Sequence, residues 1–278
     1  MYYFLQLIKV FININFVVAF SAFCLYKITE NIFGFHSPNI SAFIFFSTLF
    51  AYTYMRQCQY FILNKSNFFF GLSSSLLTKF ILVISFCVIL FIVLTLDFKF
   101  LKLVSPVILI CVLYPITFQF KNLVFNIRSI PYLKIFLIAL VWSYMTILVP
   151  VLYFSYEINY FVADFFFQRF LFILAIAIPF DIRDISSDNI KTIPNTFGIY
   201  HAKMLGFFCL LIVDLLLIID VINQVITINQ FIALFLTIEL TSVVLYLSHE
   251  KKSFFFYGII VEGLSIIMCL FVLISDLF

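Results

Sequence analysis

Residues 160–198 read YFVADFFFQRFLFILAIAIPFDIRDISSDNIKTIPNTFG. The stretch begins with 160–180, almost wholly apolar, and then turns polar with three aspartates in eight residues: Asp181, Asp184 and Asp188. A membrane helix needs about 20 mainly apolar residues to cross the hydrocarbon core, and 160–180 supplies them. Working outward, eight further stretches qualify: 10–28, 42–63, 76–96, 100–118, 132–154, 204–226, 230–247 and 254–275. The longest polar interval between them is 181–203, and there is no internal repeat. The sequence therefore predicts an all-α polytopic membrane helical bundle of about nine transmembrane helices, with 1–278 forming a single transmembrane helical domain.

Composition agrees. Of 278 residues, 65% are hydrophobic and 10% charged, and the mean hydropathy is +1.21. Soluble domains carry roughly 25% charged residues, so lipid must solvate much of this chain. A net charge of +3 is too small to suggest a nucleic-acid partner, and no basic run interleaved with aromatics supports one. The six cysteines are scattered and form no Cys-x-x-Cys pair, which reads as buried small hydrophobes rather than disulfides or a metal site.

Lysine and arginine set the expected orientation, because cytoplasmic connections are enriched in them. With the N-terminus inside, twelve basic residues are cytoplasmic, among them Arg56, Lys65, Lys121, Lys134, Arg183 and Lys191. Four face the other side: Lys27, Lys99, Lys102 and Arg169. The expectation is an integral protein of the cell inner membrane, with N-terminus and aspartate loop cytoplasmic.

Asp181, Asp184 and Asp188 are spaced i, i+3, i+7. At about 100° per residue they fall at about 0°, 300° and 340°, one narrow helical face. Three like charges on one face repel unless a cation sits among them. Hard divalent ions such as Mg2+ take carboxylate oxygens and share them with phosphate oxygens. Arg183 and Lys191 flank the cluster and can meet phosphate, while Pro194 is expected to end a helix begun in 160–180. The competing reading is a solvated acidic loop balancing neighbouring bases.

The segment PFDIRDISSDNIKTIPNTFG, 179–198, resembles the second aspartate motif of the UbiA superfamily of membrane prenyltransferases. The matching positions are Asp181, Asp184, Asp188, Lys191, Thr192-Ile193-Pro194 and Gly198. LYPITFQFK, 113–121, is similar to the Tyr-Pro and basic residue that close the family's fourth helix, giving Tyr114, Pro115 and Lys121. The resemblance implies a nine-helix bundle that moves an isoprenyl group from its diphosphate to a lipophilic acceptor, aromatic or a quinone precursor. It makes Asp181, Asp184 and Asp188 the catalytic Mg2+ ligands. The family's first motif, Asn-Asp-x-x-Asp-x-x-x-Asp, belongs at the end of the second helix. Here that region is FAYTYMRQCQYFILNK, 50–65, and no acidic residue occurs between Glu30 and Asp97. Arg56, with Lys65 or Lys121, would then replace one metal as the cationic partner of the diphosphate. Alternatives are a non-catalytic relative that binds isoprenoid or other lipid, and a small transporter.

For the transporter, Asp214, Glu239 and Glu262 fall inside predicted spans, where carboxylates are costly. The histidines, His36, His201 and His249, lie apart with no zinc spacing. GLSSS, 71–75, reads as a connecting loop.

Overall fold

The computed structural model describes residues 2–64, 76–120, 123–186 and 190–277. Lys65, the 71–75 loop, Lys121 and Asp188 lie outside the described residues. The elements are α1 (Tyr2–Asn13), α2 (Phe16–Phe33), α3 (Pro38–Asn64), α4 (Leu76–Thr95) and α5 (Phe98–Leu113). A hairpin of β1 (Thr117–Phe120) and β2 (Leu123–Asn126) follows. The remainder is α6 (Leu133–Tyr153), α7 (Tyr160–Arg183), the short α8 (Ile193–Phe197), α9 (Ile199–Ile222), α10 (Ile228–Leu247) and α11 (Phe256–Ser275).

Among the described residues, helices occur within each of the nine expected stretches. Seven of them, α2, α4, α6, α7, α9, α10 and α11, are long and apolar enough to cross a membrane. The other two differ for separate reasons. α3 is long at 27 residues but carries Asn39, Ser41, Ser47, Thr53, Arg56 and Gln57, whereas α5 has only 16 residues. Pro115 follows the C-cap of α5, Tyr114, and has no N–H with which to extend the helical hydrogen bonds. The expected helical stretch 100–118 thus gives way to the antiparallel hairpin, in which Thr117 pairs with Asn126.

The first expected span, 10–28, is also redrawn. The chain leaves α1 through Asn15 at φ 60° and restarts as α2 at Phe16. Asparagine tolerates this left-handed conformation better than most residues.

Two compact units emerge, 1–23 with 37–129 and 24–36 with 130–278. In the first, α3 packs along α4. Phe100 is fully buried, and its ring meets Phe43 edge-on at 5.0 Å. Pro106 lies inside α5 and has no N–H for the carbonyl of Lys102. The Ser105 hydroxyl donates to that carbonyl instead, at 2.9 Å.

In the second unit α7 is central, flanked by α6, α9 and α10. Most of its residues are buried, with Tyr160, Ala163 and Phe167 left exposed, and it is largely apolar, as a mostly enclosed helix should be. Asn159 caps its start, accepting from the Val162 N–H at 3.0 Å. α9 approaches closely at Gly206, where a Cβ would stand 2.5 Å from a Leu245 methyl and 3.1 Å from that of Ile178. Small residues of this kind let helices pack tightly in lipid, where the hydrophobic effect no longer drives them together. In α6 the turn Tyr144–Leu148 widens to a π-helix just before Pro150, a common accommodation of a helix interior interrupted by proline.

Candidate functional site

α7 ends at Arg183, and Asp184 is already its C-cap, at φ −89° and ψ 5°. Of the expected face, Asp181 is thus helical, in the last turn, and Asp184 caps the helix, while Asp188 lies outside the described residues. Pro194 does not end this helix: it sits in the first turn of α8, the position proline tolerates best.

Carboxylates at a helix C-terminus face the negative end of its dipole, and each described aspartate meets a cation. The Lys134 ammonium lies 2.8 Å from Asp181, which is buried, and Lys134 itself is mostly buried. Lys134 sits in the first turn of α6, equally against that helix's dipole, so each charge relieves the other. Arg183 grips Asp184 with two nitrogens, Nε at 2.7 Å and Nη2 at 3.0 Å. The guanidinium also stands over the rings of Phe180, at 5.3 Å, and Tyr257, at 5.5 Å. Glu262, expected in a transport path, lies within electrostatic reach of Arg183.

The polar loop is tied back at several points. The Lys191 carbonyl accepts from the Tyr132 N–H at 3.0 Å, two residues before Lys134 in the chain. Thr192 caps α8 through the Asn195 N–H. Gly198, at φ +87°, makes the turn from α8 into α9, in a region that favours glycine. The Lys191 side chain is exposed. His201 meets the Phe197 carbonyl at 2.7 Å.

Arg56 belongs to the first unit. Its guanidinium donates to the carbonyl of Asn13, the last residue of α1, and so caps a helix C-terminus with positive charge. Tyr114 is the C-cap of α5.

Arg169, expected on the outer side, is buried within α7. It donates to the Leu25 carbonyl at 2.8 Å and the Thr146 hydroxyl at 3.3 Å, and stands 5.4 Å from the Phe165 ring. Beside it, the Gln168 amide donates to both Asp164 and Asp220, each at 2.7 Å. A cavity of about 20 Å3, lined by Gln168, Arg169, Phe172, Val213 and Met268 among others, lies between α7, α9, α10 and α11. That volume suffices for a single water.

The residues at the end of α7 suit magnesium. It keeps several waters and is bound through one or two carboxylates plus substrate phosphates, and Asp181 and Asp184 offer that donor type. Among the described residues no group of three His, Cys, Asp or Glu side chains gathers that could hold a metal ion.

Fold and composition define the class: an integral membrane protein of apolar helices with the UbiA-type fold. The chain is similar to the apo structure of a UbiA homologue from Aeropyrum pernix K1, with a TM-score of 0.66 and 14% identity over 94% of this chain and 98% of that one. It is also similar to the structure of a digeranylgeranylglyceryl phosphate synthase in membranes, with a TM-score of 0.55 and 16% identity over 98% and 96%. No protein-family model and no curated protein matches the sequence.

Proposed function

We propose that this protein is a membrane prenyltransferase that moves an isoprenyl group from its diphosphate to a lipophilic acceptor, aromatic or a quinone precursor. The observation that carries the reading is the paired carboxylates Asp181 and Asp184 closing a buried helix of a UbiA-type fold. Asp181, Asp184 and Asp188 would hold Mg2+, which supplies charge neutralisation to the departing diphosphate. Lys134 and Arg183 each bring a positive charge beside one of the two described carboxylates. Lys191 would be an auxiliary phosphate partner from the loop, and Arg56 and Lys121 are proposed as further ones. Apolar helix walls would shield a developing allylic cation from water. The nine-span arrangement in an inner membrane, with the aspartate loop cytoplasmic, belongs to the same proposal.

The test is turnover of purified protein in lipid with isotopically labelled isoprenyl diphosphates. Mg2+-dependent diphosphate release and labelled prenyl product are expected, and Asp184→Asn should lower both roughly 100-fold. No diphosphate release with any isoprenoid donor would overturn the reading. The absence of any acidic residue between Glu30 and Asp97 favours a second reading, a non-catalytic relative that binds isoprenoid. That reading predicts saturable binding of the same donors with no bond cleavage.

A further inference from the structure

A second acidic pair lies far from the aspartate loop. On α10 the exposed residues Ile232, Leu236 and Val243 mark one stripe, and exposed Glu239 falls on it. On the adjacent α9, Asp214 stands between exposed Leu211, Leu215 and Ile218. The two carboxylates are within electrostatic reach of each other. Asp214 is eight residues before the end of α9 (222 − 214), and Glu239 eleven after the start of α10 (239 − 228). At about 1.5 Å per residue, both lie roughly 12 to 16 Å from the α9–α10 connection. That is near the middle of a hydrocarbon core about 30 Å thick.

Among the described residues neither side chain has a hydrogen bond or ion pair, and the Asp214 Oδ1 is shielded without a partner. Carboxylates at such depth are costly and normally pair. Their outward placement argues against a transport path through the bundle interior and for an occupant arriving from the lipid side. A second copy of this chain is poorly equipped for the role. Its described basic residues within the spans are already engaged: Lys27 with Glu30, Arg56 with the Asn13 carbonyl, and Arg169 buried. The remaining described ones lie near helix ends or between helices.

We infer that the α9–α10 face docks a transmembrane helix of another polypeptide that carries a lysine or arginine at its midpoint. The apolar stripe meets its leucine-like surface, and Asp214 and Glu239 take its cation.

The test uses this protein, donor-labelled, in phosphatidylcholine liposomes. The probe is an acceptor-labelled synthetic Leu/Ala transmembrane helix with one Lys at its midpoint, compared with a matched helix carrying Leu there. Energy transfer should show the Lys helix binding at least about tenfold tighter. Asp214→Asn with Glu239→Gln should erase that preference, and Glu239→Gln alone should reduce it. The double variant should melt no lower than the parent, because the charges it removes have no partner here. Equal binding of the two helices, or a preference that survives the double variant, would overturn the inference. So would energy transfer between two copies of the chain that vanishes in the double variant, since the occupant would then be the chain itself.

Discussion

At the scale of single residues, the Lys134–Asp181 pair has the clearest consequence. Lys134→Gln leaves a buried carboxylate without that cation, and losing one partner of a buried pair costs about 3 kcal/mol. Thermal melting should fall accordingly, and adding Asp181→Asn should recover most of the loss, since the double variant has no stranded charge. A melting point unchanged by Lys134→Gln would show that the pair contributes little. None of this pairing was legible beforehand. The two aspartates were visible because they are close in sequence, but Lys134 is 47 residues from Asp181 (181 − 134). In the sequence it is simply one of twelve bases on the expected inner side. Arg169 misled for a related reason: a hydropathy sum shows that a charge interrupts a span but not which way it faces. Its actual partners, a carbonyl on α2 and a hydroxyl on α6, come from distant parts of the chain.

Helices are where the sequence was most informative. Crossing lipid requires a local excess of apolar residues, and a local sum finds it, so among the described residues a helix occurs within every expected stretch. Ends were less legible. The three aspartates have helical spacing, yet α7 stops at Arg183, and helical spacing alone does not fix where a helix ends. α5 stops short of the hairpin because Pro115 intervenes, while Asn15 separates α1 from α2. Gly206 gives a prediction at this scale. Gly206→Val would drive side-chain carbons into Leu245 and Ile178, an overpacking cost of about 1 to 3 kcal/mol. Gly206→Ala should cost less, and shortening the neighbour with Leu245→Ala should recover part of it. If Gly206→Val melts like the parent, the close approach of α9 to α7 and α10 is not as described.

For the molecule as a whole, the fold was legible from composition and one motif, whereas the site was legible only as to residue type. Ligand binding provides a check that does not depend on turnover. A ligand that binds only the folded state raises its stability, so inorganic pyrophosphate with Mg2+ should raise the melting temperature in lipid. EDTA should remove the effect, and Asp184→Asn should reduce it. A shift equally large in Asp184→Asn would place the anion elsewhere.

Arg183 stands against two aromatic faces while a carboxylate fork fixes its plane. A side chain confined in this way has already given up most of its rotamer freedom during folding. An incoming anion that took the place of Asp184 would meet a donor array already aimed, and the entropic cost of ordering it would not weigh on the affinity.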